Sequence, residues 1–267
     1  MSKPTSEKAP QTAPPAHSMP EGEQIATSLA PPEAAVKTTA APASPQAAGT
    51  PGALRQQMDR LRFQCPVVNQ AYLDVIHGAT TAERQEILNS AEYRDLIRLN
   101  ISGHSAMVVI SALMEGSQSW RNPTSNDFYA FFVQNSGSGP LPNTATMNCW
   151  EAILYAAYLA GQTTVDYIRS FYGTAIRAAD PNAEIWRQLG FTTSLPTYPA
   201  TTPRAGQWIF YYPSGSSVPS HIALSLGGDE AMSLWNQPNN VSSQQRIRIN
   251  DLATSGGTIH IGNPVLR

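Results

Sequence analysis

Apolar positions are distributed along this chain in three unlike ways. Residues 1–52 are dominated by Ala, Pro, Thr, Ser and Gln, with almost no large aliphatic or aromatic side chains and prolines at no fixed period. Such a stretch cannot bury enough surface to offset the entropy of ordering it, and it reads as a disordered Pro/Ala-rich leader. From Leu54 the spacing becomes helical. Leu54, Met58, Leu61 and Phe63 form one stripe; after the Cys65-Pro66 break, Val67, Val68, Tyr72, Leu73 and Ile76 form a second. Thr80-Thr81-Ala82-Glu83 is a cap sequence opening a helix that carries Ile87, Leu88, Leu96 and Ile97. Asn100 to Gly116 predicts a mostly buried helix interrupted at Gly103-His104, and its apolar run is too short to span a bilayer.

Residues 116–146 are rich in Ser, Asn, Gly and Pro and predict a long loop. It leads into Asn148-Cys149-Trp150-Glu151, where Asn148 is a good N-cap and Glu151 can reach back to the cap N–H; Gly161 supplies the stop. Two further helical patterns follow, Val165 to Ala178 and Asn182 to Leu189, the latter capped by Asp180-Pro181. From Thr201 the period changes to short branched and aromatic runs separated by Pro, Gly, Asn and Asp: Gln207 to Tyr212, Ser220 to Leu226, Ala231 to Asn236, Gln245 to Asn250 and Thr258 to Ile261. Such short connections favour antiparallel pairing. Helices first and strands afterwards predict an α+β domain over residues 53–267, with a helical subregion at 53–120.

Composition narrows the chemistry. With 267 residues and a formal net charge of -2, the chain has no basic excess for duplex nucleic acid or an acidic membrane surface. Its two cysteines cannot build a disulfide framework, and no Cys/His spacing resembles a metal site, so neither metal nor cofactor is expected. The first residues lack the apolar core of a signal peptide, which predicts synthesis in the cytosol. Cys149 at the start of a helix places its sulfur beside unpaired N–H groups, an environment that favours thiolate. Taken alone, a cysteine is more often a small core residue.

A base for that thiol is available in His221, which opens the strand His221 to Leu226. If Gly228-Asp229 form the turn, Gly227 pairs with Glu230, and counting outward sets His221 opposite Asn236. Cys149 would then be the nucleophile, His221 the base and Asn236 the residue that orients the ring. Ser233, Gln237 and His260 compete for the third role. The Cys149 N–H, with Gln134 or Asn143 from the preceding loop, would stabilise the oxyanion. His77 and His104 sit at helix ends and are assigned to capping or packing.

The order Asn148-Cys149-Trp150-Glu151, then Ala205 to Phe210, then Ser220-His221 to Gly228 resembles the NlpC/P60 and CHAP branch of the papain-like cysteine hydrolases over about residues 140–262. Arg246 to Leu252 is similar to that family's closing strand, while Gln207 and Trp150-Glu151 depart from its usual residues. The resemblance implies a papain-like core with the nucleophile helix packed on an antiparallel sheet. It implies hydrolysis of an amide in a peptidoglycan peptide or a protein through a thioester. The leader and helical subregion are similar to those of secreted bacterial effectors and toxins, which implies translocation into a target cell and partners such as secretion machinery, a chaperone or an immunity protein. Glutamine deamidation or transglutamination would use the same thioester, and a non-catalytic interaction domain is the reading from another class.

Overall fold

The computed structural model describes residues 52–64, 68–101, 103–253 and 256–266. The expected leader apart from Gly52, together with Cys65, Pro66 and Val67, lies outside the described residues, as do the side chains of Leu61 and Phe63. Five helices come first: α1 (Ala53–Gln64), α2 (Gln70–Gly78), α3 (Thr81–Asn89), α4 (Ala91–Asn100) and α5 (His104–Leu113). Each of α2, α3 and α4 starts at a side-chain cap. Asn69 accepts from the N–H of Tyr72, Thr80 and Glu83 close a capping box, and Ser90 accepts from the N–H of Tyr93. The helix expected from Asn100 begins only after Gly103, whose φ of 53° lies in the left-handed region and breaks the run. Every residue of α5 from Ala106 to Leu113 is buried, as an all-round apolar sequence requires.

The segment expected as an unbroken loop carries short structure of its own. β1 (Ser119–Trp120) pairs in parallel with β2 (Thr146–Met147), and between them α6 (Asp127–Tyr129) runs into a π-helical turn over Ala130–Gln134. Asp127 ties the two parts together, because its carboxylate accepts from both the backbone N–H and the hydroxyl of Thr146. This pairing presents Asn148 at the entry to α7 (Cys149–Leu159). Two amphipathic helices follow, α8 (Val165–Arg177) and α9 (Pro181–Gln188).

The remaining strands are β3 (Thr197–Tyr198), β4 (Trp208–Pro213), β5 (His221–Gly227), β6 (Glu230–Leu234), β7 (Gln244–Arg248) and β8 (Gly257–Gly262). They form one antiparallel sheet in the order β3-β8-β4-β5-β6-β7. The last two residues of the strand expected over Gln245 to Asn250 instead begin a short helix, α10 (Ile249–Ala253). Alternation along the strands gives the sheet two buried faces. Trp208, Phe210, Ile222, Leu224, Met232 and Leu234 join the large core with α5 and α7; Ile209, Tyr211, Ala223, Ala231, Ile259 and Ile261 face the other way with Ile249 and Leu252 of α10. The architecture is therefore mixed α+β. No helix among the described residues is long and apolar enough to cross a membrane.

Candidate active site

Asn148 and Glu151 form the reciprocal cap read from their spacing. Asn148 Oδ1 accepts from the Glu151 N–H at 3.0 Å and Glu151 Oε2 accepts from the Asn148 N–H at 2.7 Å. The carboxyl group also accepts from Asn126 Nδ2 and from the Tyr172 hydroxyl. Glu151 is completely buried, and desolvation pushes its pKa up to about 8. Trp150 packs against Phe171 and Tyr172 of α8, which locks the first turn of α7 in place.

This turn sets the Cys149 side chain against the start of β5, where the nearby backbone N–H groups of Ile222, Trp150 and Cys149 itself favour the thiolate. The helix-start environment expected of Cys149 is present, but burial outweighs it. Desolvation pushes the thiol up to about 12, with the nearby Glu151 acting in the same direction. The resting group is a neutral thiol. Beside it lies a cavity of about 10 Å³ whose lining includes Ser111, Ile222, Met232 and Gln244.

His221 is also fully buried. It pairs across β4 with Tyr211, and its ring stacks on Trp235 with centroids 4.5 Å apart. Nε2 lies 2.9 Å from the Ser233 hydroxyl, whereas Nδ1 is buried without a hydrogen-bond partner. Burial pushes the imidazole down to about 3, so it too is neutral. The sulfur reaches the backbone next to His221, yet the ring packs with Tyr211 and Trp235 on the face of the sheet that α7 does not cover. No hydrogen bond joins thiol and imidazole among the described residues.

The expected placement of Asn236 opposite His221 is corrected by one residue. Gly227 does pair with Glu230, as the turn predicts, but a β-bulge follows and the ladder resumes at Ser225↔Ala231 and Leu224↔Met232. The extra residue is accommodated by Gly227 at φ 101°, and the Ser225 hydroxyl accepts its N–H at 3.0 Å. Continued to the strand end, this register brings Trp235 to His221 and leaves Asn236 exposed. Of the competing residues, Ser233 holds the ring. His260 lies on β8, separated from β5 by β4, and its Nδ1 faces the Leu195 carbonyl at 3.4 Å. The Gln237 carbonyl accepts from the Gln245 amide.

Gln134 and Asn143, expected as oxyanion donors, are both exposed. The polar groups that do face the thiol's cavity are Ser111 and Gln244. The signal for Ser111 was its position as the hydroxyl within the apolar run Ala106 to Leu113; nothing local marks Gln244. His77 pairs through Nδ1 with Glu115 at 2.6 Å, away from this site in sequence and element. No group of three His, Cys, Asp or Glu side chains among the described residues could hold a metal ion. Comparison of the chain with protein-family models, with curated proteins and with solved structures finds no match.

Proposed function

We propose that this protein is a papain-like cysteine hydrolase that cleaves an amide bond, with Cys149 as nucleophile, His221 as general base and Ser233, in place of Asn236, as the group that holds the ring. One observation carries this reading. The Cys149 sulfur meets the N–H of Ile222, the residue bonded to His221, while the imidazole has one nitrogen anchored by Ser233 and the other unpartnered. A general base needs that division of its ring nitrogens. In the structure both groups are neutral and the imidazole stacks on Trp235.

The reaction requires the His221 ring to reach the α7 side of the sheet, where its Nδ1 takes the thiol proton and the thiolate attacks the carbonyl carbon. The resulting oxyanion is stabilised by N–H groups at the start of α7. His221 returns its proton to the departing amine, leaving a thioester. Water, deprotonated by the same ring, then attacks the thioester and releases the acid and the thiol. The resemblance to NlpC/P60 hydrolases supports an amide of a peptidoglycan peptide or of a protein as substrate, and delivery as a secreted effector. Deamidation of a glutamine side chain follows the same steps with ammonia as the leaving group.

A non-catalytic interaction domain is favoured by a different observation: thiol and ring pack on opposite faces of the sheet, and burial pushes the thiol up to about 12 and the imidazole down to about 3, which opposes proton transfer between them. Expression of wild type, Cys149→Ala and His221→Ala in bacterial cytoplasm, bacterial periplasm and a eukaryotic cytosol separates the two. Toxicity confined to wild type supports the hydrolase, and the compartment identifies the substrate class. Full toxicity of both folded variants would leave the interaction domain as the surviving reading.

A further inference from the structure

Between α5, α7 and the sheet, two polar side chains are buried in otherwise apolar surroundings. Ser111 is 2% exposed and Gln244 3%. Ser111 lies within the fully buried stretch of α5, and Gln244 opens β7. The Gln244 amide donates through Nε2 to the Ser111 hydroxyl at 3.3 Å, and its Oε1 is buried with no hydrogen-bond partner. Leaving a buried amide oxygen unsatisfied is costly, so such groups call for an explanation. Both residues line the cavity of about 10 Å³ that also borders Cys149. A space of that size holds one water if two or more polar groups face it. Gln244, Ser111 and the Cys149 thiol meet that condition, while the other lining residues, such as Ile222, Leu224 and Met232, are apolar.

We propose that this cavity is a binding site for one ordered water that links the Gln244 amide to the Cys149 sulfur. Water both donates and accepts, so it satisfies the amide and accepts from the S–H in the resting state. When the thiol loses its proton, the same water turns a hydrogen towards the sulfur. Gln244 is thus a positioning residue for the thiol, acting through the water. The meaning of this arrangement for catalysis rests on Cys149 being the nucleophile; the site itself does not.

The test therefore uses no substrate. In a high-resolution crystal structure of the wild-type chain, a solvent peak is expected within hydrogen-bonding distance of both the Gln244 amide and the Cys149 sulfur; a cavity without density overturns the proposal. Gln244→Met keeps the side-chain length and removes the polar anchor. In that variant the infrared S–H stretch assigned to Cys149, by difference from Cys149→Ser, should move to higher frequency. Alkylation of Cys149 should slow by about tenfold or more, the weight of one hydrogen bond to a charged sulfur. An unchanged stretch and rate in the folded variant would count against the water link. If Gln244→Met does not fold, the wild-type density decides alone. Because neither readout depends on turnover, an inactive Cys149 site and a missing water give different results.

Discussion

The His221 ring is anchored at Nε2 by a single hydroxyl, that of Ser233, and is covered by Trp235. With Nδ1 already unpartnered, removing that hydroxyl leaves a fully buried imidazole with neither nitrogen satisfied. Ser233→Ala should therefore destabilise the fold by about 1–3 kcal/mol in urea unfolding. Asn236 is exposed and outside the register of His221, so Asn236→Ala should change stability by less than about 0.5 kcal/mol. The comparison discriminates between the bulged ladder and the unbroken one: a larger cost for Asn236→Ala than for Ser233→Ala would restore Asn236 as the partner of the ring. It also shows why the third residue was only partly legible. Ser233 and Asn236 lie close together in sequence, and a shift of one residue in pairing decides which of them can serve.

At the scale of elements, the capping box of α7 joins folding to the candidate site, because the same turn that closes on Asn148 orients the Cys149 sulfur. Asn148→Ala removes the acceptor for the Glu151 N–H inside a buried turn, and a loss of about 1–2 kcal/mol is expected from the urea midpoint. Asn148→Asp keeps the acceptor but adds a second carboxyl group beside buried Glu151; a full rescue by Asp would show that the turn is less buried than described. Short-range features of this kind were readable: the Thr80–Glu83 and Asn148–Glu151 spacings, and the Gly227↔Glu230 turn. What was not readable depends on contacts distant in sequence or on a single backbone angle. β3 has only two residues and exists because it pairs with β8, while β8 inserts between β3 and β4. The bulge depends on Gly227 at positive φ and on the Ser225 hydroxyl, neither of which changes the apolar alternation. Asn250 to Leu252 has strand-like neighbours but turns into α10, where Leu252 reaches the smaller core.

For the molecule as a whole, three buried titrating groups set how stability varies with pH. His221 is depressed from 6.5 to about 3, so the unfolded chain binds the extra proton, and its contribution is complete above pH 6.5 and lost as pH falls towards 3. Glu151 is raised from 4.5 to about 8, so the folded chain holds the proton; its contribution is complete below pH 4.5 and lost as pH rises towards 8. Cys149, raised from 9.0 to about 12, follows the same sign at higher pH. Between pH 4.5 and 6.5 the first two slopes oppose each other, one proton each, and cancel. Stability should therefore show a plateau across that window. It should fall by roughly 1.4 kcal/mol per pH unit on the acid side, where His221 acts without Glu151, and similarly between pH 6.5 and 8, where Glu151 acts without His221. Glu115, held below its usual value by the His77 hydrogen bond and neighbouring charges against an opposing desolvation, steepens the acid side. Urea unfolding across pH 3 to 9 measures the profile, and Glu151→Gln tests its origin. The amide preserves an acceptor for the Asn148 N–H and cannot ionise, so the decline between pH 6.5 and 8 should vanish while stability climbs with pH from 4.5 to 6.5 under His221 alone. An identical alkaline decline in wild type and Glu151→Gln would mean that the carboxyl group is already ionised in the fold, and that another group limits stability above neutrality.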